Sequence, residues 1–119
     1  MNHLKLAEGE YRFARIVWEN EPLPSGRLVE LSLKELGWKK STTYTVLRKI
    51  CENGIFQNKG AVVTSKMSRE EYINRKGEQY LEENYNGSLP NFVAAFMKRK
   101  KLSKKQIEEL VVLIDEYKD

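Results

Sequence analysis

Four helix-breaking points divide the first 67 residues, and they constrain the fold more than any other feature of the sequence: Glu21-Pro22-Leu23-Pro24, Gly37-Trp38, Gly54 and Lys59-Gly60. Proline lacks the amide a helix needs, and glycine closes a helix in the left-handed conformation, so each break ends one element and starts another. Leu6, Phe13, Ile16 and Val17 form the apolar stripe of a first helix over about 7–19, with Glu8 and Glu10 in its positive-end turn. Ser25 is placed to cap a second helix to about Leu36, with Leu28, Leu31 and Leu36 inward, and Ser41 to cap a third through about Asn53. Residues 55–58 and 61–64 then flank Lys59-Gly60 as a small hairpin. Three helices followed by a hairpin is the order of a winged helix-turn-helix, here expected over residues 1–67.

Residues 68–119 read as three more helices. Ser68-Arg69-Glu70-Glu71 and Ser103-Lys104-Lys105-Gln106 are capping boxes that open the fourth and sixth, and the fifth starts near Ser88 with Pro90 in its first turn. The expected fold class is therefore mainly α with a small β-hairpin wing, a winged helix-turn-helix followed by a three-helix domain. The fourth helix carries Tyr72, Ile73, Tyr80 and Leu81; the fifth Leu89, Phe92, Val93, Phe96 and Met97; the sixth Ile107, Leu110, Val111, Ile114 and Tyr117. About 50 residues in three short helices make a poor core on their own. These stripes need cover, from the chain's own N-terminal domain or from a second copy. Two-fold DNA sites favour the second copy, with Tyr80, Leu89, Phe92, Val93, Phe96, Ile107, Leu110, Val111 and Ile114 as dimerisation residues.

Chemistry-bearing residues are scarce. The chain has one cysteine, Cys51, and one histidine, His3, so neither an internal disulfide nor a His/Cys metal set can be assembled, and no cofactor is expected. Acid–base or nucleophilic catalysis has little material, and an enzyme is not expected. No apolar run approaches the roughly 20 residues that cross a bilayer, and the N-terminus lacks a signal-peptide apolar region, which places the protein in the cytoplasm.

The formal charge is +4, and it is unevenly spread. Residues 39–70 hold seven basic side chains (Lys39, Lys40, Arg48, Lys49, Lys59, Lys66, Arg69) against two acidic ones (Glu52, Glu70). On the third helix, at 100° per residue from Thr42, the residues Ile50, Thr43, Leu47 and Cys51 fall between about 80° and 180°, with Val46 and Tyr44 flanking them. Ser41, Thr42, Thr45, Arg48, Lys49 and Glu52 occupy the arc from about 240° to 360°. The first arc is a core face. The second is either a solvated helix face or a DNA-reading one: short threonines suit base edges and thymine methyls, and Arg48 and Lys49 reach phosphate or guanine. Lys39 and Lys40 tip the balance, because cations beside the positive end of a helix dipole are unfavourable by roughly 0.3–1 kcal/mol and folding does not explain them. A phosphate at that end would be held by free amides, the dipole and two ammonium groups together. Lys59 in the hairpin completes the expected DNA-binding set. The denser run Lys98-Arg99-Lys100-Lys101 lies at a helix C-terminus, where it complements the dipole; phosphate binding and nuclear localisation are its other readings.

Motifs of a known family run through the chain: Ala7-Glu8-x-Glu10 followed by Val17-Trp18-Glu19; Gly37-Trp38, Thr42-x-x-Thr45 and Leu47; Ser68-Arg69-Glu70-Glu71-Tyr72; Tyr85-Asn86-Gly87-Ser88-Leu89; and Leu102-Ser103-x-x-x-Ile107-Glu108-Glu109-Leu110. In order and spacing the chain resembles the penicillinase repressor family over nearly its whole length. The resemblance implies a homodimeric repressor that covers a palindromic operator in duplex DNA and serves antibiotic resistance. It also implies relief by proteolysis in the fifth helix, triggered by a membrane sensor protease that detects β-lactams. The family's cleaved bond joins asparagine to phenylalanine, where this chain has Ala95-Phe96. The hairpin is shorter than the family's usual wing, and the paired Cys-x-Cys motifs of its copper-responsive branch are missing. The competing reading is a helical protein–protein adaptor built on a winged-helix scaffold without sequence-specific DNA binding. Salt separates the two, since phosphate-mediated binding weakens steeply with salt and an apolar interface does not.

Overall fold

The computed structural model describes residues 5–118 and is a mainly helical winged-helix fold. In chain order the elements are α1 (Glu8–Asn20), β1 (Leu23–Pro24), α2 (Ser25–Leu36), α3 (Lys40–Glu52), β2 (Phe56–Lys59), β3 (Val62–Ser65), α4 (Arg69–Tyr85), α5 (Leu89–Arg99) and α6 (Lys104–Glu116). All six expected helices are present, each beginning within a residue or two of its expected start. His3 lies outside the described residues. Two compact units divide after Gly77, inside α4.

In the first unit, α1 buries Phe13, Ala14, Ile16 and Val17, and Leu6 lies in the same core. Gly37 ends α2 at φ 71°, with its amide donating to the Leu33 carbonyl and the Trp38 amide to the Ser32 carbonyl. Both carbonyls would otherwise be orphaned at the helix end. Trp38 then stacks on Phe13 with ring centroids 5.3 Å apart, which anchors the segment that leads into α3.

Both expected serine caps are displaced. Pro24 is the residue before α2, and it is paired as a strand with Val62, so the helix starts at Ser25, whose amide donates to the Ala61 carbonyl. The Ser25 side chain is buried and accepts from the Tyr44 hydroxyl at 3.3 Å. At α3, Lys39 takes the extended capping position without a side-chain cap, and its carbonyl accepts from the Thr43 amide. Ser41 therefore lies inside the first turn rather than in front of it.

The hairpin is shifted by one residue from its expected place. Gly60 and Ala61 form the turn, both with positive φ, and Lys59 joins β2 opposite Val62. Ile55 lies just before the strand, and its carbonyl accepts from the amides of Lys66 and Met67. A third strand, β1, pairs antiparallel with β3 and gives the sheet order β1-β3-β2. Only its backbone pairing marks those two residues as a strand, since one of them is proline. The Glu21 carboxylate secures this edge, accepting from the Ser65 amide at 2.7 Å and from the Ser65 hydroxyl.

The first two turns of α4 contribute to this core. Tyr72 is fully buried, stacks on Tyr11, and meets Trp18, which in turn meets Phe56. Its hydroxyl accepts from the Leu6 amide at 3.1 Å, and the Trp18 indole donates to the Met67 carbonyl at 3.0 Å. Burial pushes the Tyr72 phenol above its usual range. Removing such a ring leaves both a cavity and an unpaired amide. Tyr72→Ala is expected to destabilise the unit by about 3–5 kcal/mol, to be read from urea unfolding; a cost of about 1 kcal/mol, the size of an ordinary substitution, would contradict the packing described.

In the second unit the caps are as expected. The Ser88 hydroxyl accepts from the Asn91 amide, and Ser103 and Gln106 cap each other at the start of α6. Tyr80, Tyr85 and Phe92 form an aromatic cluster with ring centroids 5.5–6.1 Å apart, Phe92 meeting both tyrosines edge-on. No side chain of α5 or α6 is buried.

Candidate nucleic-acid interface

The site is built on α3, and the packing of its inner arc sets what its outer arc presents. Thr43, Leu47 and Ile50 are buried, while Tyr44, Val46 and Cys51 are half-buried against the core. This fixes the rotation of the helix about its axis. Lys39, Lys40, Ser41, Thr42, Thr45, Arg48, Lys49 and Glu52 are consequently all exposed. Lys39 and Lys40 stand at the amide end of α3, with no acidic residue in the first turn.

Two of these side chains are less free than their exposure suggests. The Thr45 hydroxyl donates to the Ser41 carbonyl at 2.9 Å, leaving its lone pairs and its methyl group for a partner. Lys49 forms an ion pair with Glu10 of α1, Nζ to Oε2 at 2.6 Å, and the Glu10 side chain is only 14% exposed. The other oxygen of that carboxylate accepts from the Ala7 amide at 2.9 Å. Glu10 thus joins the start of α1 to the last turn of α3. The sequence suggested only a dipole role for it, because nothing local links two residues 39 positions apart.

The Lys49 ammonium, followed by the Ala7 amide, holds the Glu10 carboxyl below its usual value of 4.5. A group whose folded value is depressed contributes stability that is complete above the unfolded value and is lost as pH falls through the folded one. Wild type and Glu10→Gln are therefore expected to differ in urea midpoint near neutral pH and to converge as the pH falls below 4.5 and through the depressed folded value. A gap that stays constant with pH would show that the pair contributes nothing through its charge.

Lys59 is exposed at the end of β2, beside the turn of the hairpin. The neighbouring Asn58 lines a shallow depression with Tyr44, Leu47, Arg48 and Cys51, which places an amide side chain from the hairpin beside the outer arc of α3. Sequence reasoning did not single out Asn58, and one polar residue in a hairpin gives no signal of its own. Burial, with the nearby Glu52 charge second, pushes the Cys51 thiol up and makes it a poor nucleophile.

In the second unit, Tyr80, Leu89, Phe96, Ile107, Leu110, Val111 and Ile114 are exposed, whereas Phe92 and Val93 are half-covered. Ala95 and Phe96 lie in the middle of α5, with Ala95 half-covered and Phe96 exposed. Lys98 and Arg99 occupy the last turn of α5, where they complement its dipole. Among the described residues no helix is long and apolar enough to cross a membrane, and no group of three or more His, Cys, Asp or Glu side chains could hold a metal ion.

The model of the penicillinase repressor family matches residues 6–116 of the chain. The chain belongs to this family. It is also similar to the penicillinase repressor of Bacillus licheniformis, at 23% identity over 119 residues that cover 97% of this chain and 93% of the relative. The match spans both units. For a member of the penicillinase repressor family the functional class is transcriptional repression through DNA.

Proposed function

We propose that the protein is a cytoplasmic homodimeric repressor that binds a palindromic operator, inserting α3 into the major groove of each half-site. The observation that carries this reading is the outer arc of α3, fixed in rotation by Thr43, Leu47 and Ile50 and led by two lysines that folding disfavours. Lys39 and Lys40 hold a phosphate at the helix end, Ser41, Thr42, Thr45 and Arg48 face the bases and backbone, and Lys49 lies at the edge of the same face. Lys59 meets an adjacent phosphate from the hairpin. Dimerisation is supported by the exposed apolar side chains of α5 and α6, in a unit that buries none of its own. The proposed DNA-binding domain is residues 1–67 extended by the first two turns of α4, and the remainder of residues 68–119 forms the dimerisation domain.

Relief of repression follows the family by a cut at Ala95-Phe96, made by a protease coupled to a membrane sensor. A bond inside a helix resists proteolysis until the helix opens locally, so the cut requires α5 to open first. Cutting there separates Phe92 and Val93 from Phe96 and breaks the dimer surface. The test of the DNA reading is binding to duplex over a range of salt. Log affinity should fall linearly with log salt, and Lys39→Ala should flatten that slope by about 0.9, the share of one phosphate. Binding that is indifferent to salt would instead support a protein–protein adaptor. For the switch, fragments mapped by mass spectrometry after β-lactam exposure should end at Ala95; intact protein throughout induction would sink it.

A further inference from the structure

Among the described residues, Lys49 is the one cation on the outer face of α3 with a carboxylate bonded to it. That carboxylate is itself anchored, since one oxygen caps the Ala7 amide and the other meets the ammonium at 2.6 Å. Glu10 is also well covered at 14% exposure, whereas Lys49 is 62% exposed. A DNA phosphate approaching Lys49 therefore competes with a fixed, largely desolvated anion from the same protein.

From this competition we infer that Glu10 is an affinity-setting residue of the DNA interface: it withholds the Lys49 charge from the phosphate backbone and so restrains binding to any duplex irrespective of sequence. The inference rests on the DNA-binding reading above and narrows it. Sequence-independent binding depends on the number of phosphates neutralised, whereas discrimination comes from base contacts. A cation cancelled within the protein lowers the first without touching the second. Occupancy of non-operator DNA falls, and the ratio of operator to non-operator binding is set by Thr42, Thr45 and Arg48. The pair also serves folding, by joining α1 to α3, so the test needs a readout that lost packing would not produce. The charge count at the DNA interface is such a readout, because lost packing lowers affinity and cannot raise it with a steeper salt dependence.

Glu10→Gln keeps an oxygen for the Ala7 amide and removes the charge. With full-length protein and a duplex of arbitrary sequence, this variant should steepen the salt slope by about 0.9 and bind roughly eightfold tighter at 0.1 M salt, the equivalent of one added phosphate contact. Adding Lys49→Met to it should abolish that gain. A Glu10→Gln slope equal to that of wild type, or a gain that survives in the double variant, would overturn the inference. Lys39→Ala run alongside separates the two levels: if it flattens the slope while Glu10→Gln changes nothing, the DNA interface stands and the restraint falls. A second readout uses the unaltered protein. The Glu10 carboxyl followed by carbon NMR should keep its depressed titration when saturated with duplex; a return to the usual carboxylate range would mean that Lys49 has left for a phosphate, and would overturn the inference independently.

Discussion

Leu110→Asp with Ile114→Asp, both on α6, is expected to give a monomer whose operator affinity is lower by about 10²- to 10⁴-fold, the advantage lost when two half-sites are no longer bound by one molecule. In the unaltered chain these side chains are 39% and 61% exposed, and Ile107, Val111, Val112 and Leu113 on the same helix are exposed as well. A soluble monomer rarely presents so many large apolar residues on one helix. Two aspartates are tolerated in a monomer, where they are solvated, but each would have to shed its water at an apolar interface. Sedimentation at about 10 µM, an ordinary working concentration, reads the oligomeric state, and unfolding of the first unit serves as the control. That unit keeps its core, because α6 contributes no buried residue. A double variant that remains dimeric would place the interface elsewhere.

The second large effect concerns discrimination. Thr42→Ala and Thr45→Ala are each expected to lower the preference for operator over scrambled duplex by about 1–3 kcal/mol per lost base contact, some 5- to 150-fold, with little change on the scrambled sequence. The two threonines are not equivalent. The Thr45 hydroxyl is committed as a donor to the Ser41 carbonyl, so at a base edge it can only accept, or offer its methyl to a thymine methyl. Thr45→Val keeps that methyl and loses the acceptor, and comparing it with Thr45→Ala tells the two modes apart. Arg48→Ala should weaken operator more than Thr42→Ala does, since a bidentate guanidinium contact is charge-assisted. Equal losses on both duplexes would mean that this face holds backbone alone.

Most of the architecture is legible in the sequence because its breaks are written in residues with few conformational choices. Gly37 at positive φ and Pro22 after α1 leave little freedom, and the boxes at Ser68 and Ser103 announce helices through side chains that bond their own backbone. What the sequence conceals depends on distant partners. Ser25 and Ser41 have capping chemistry, yet the strand pairing of Pro24 and the Trp38–Phe13 stack start both helices earlier. β1 exists only through the backbone of β3. The two arcs of α3 follow from its periodicity, so the exposure of Thr42, Thr45 and Arg48 could be read directly. The engagement of Lys49 could not, because Glu10 meets it only once the fold brings the start of α1 to the last turn of α3.

Footprinting on the DNA upstream of the protein's own gene tests the central claim most directly. A two-fold repressor reading each half-site with α3 should protect a dyad-symmetric segment, with half-site centres one helical turn or a multiple of it apart, about 10–10.5 base pairs per turn. The Thr42→Ala, Thr45→Ala protein should lose that footprint at concentrations where the wild type protects fully. No protected dyad for the wild-type dimer, or a footprint that the double variant reproduces unchanged, would contradict the account.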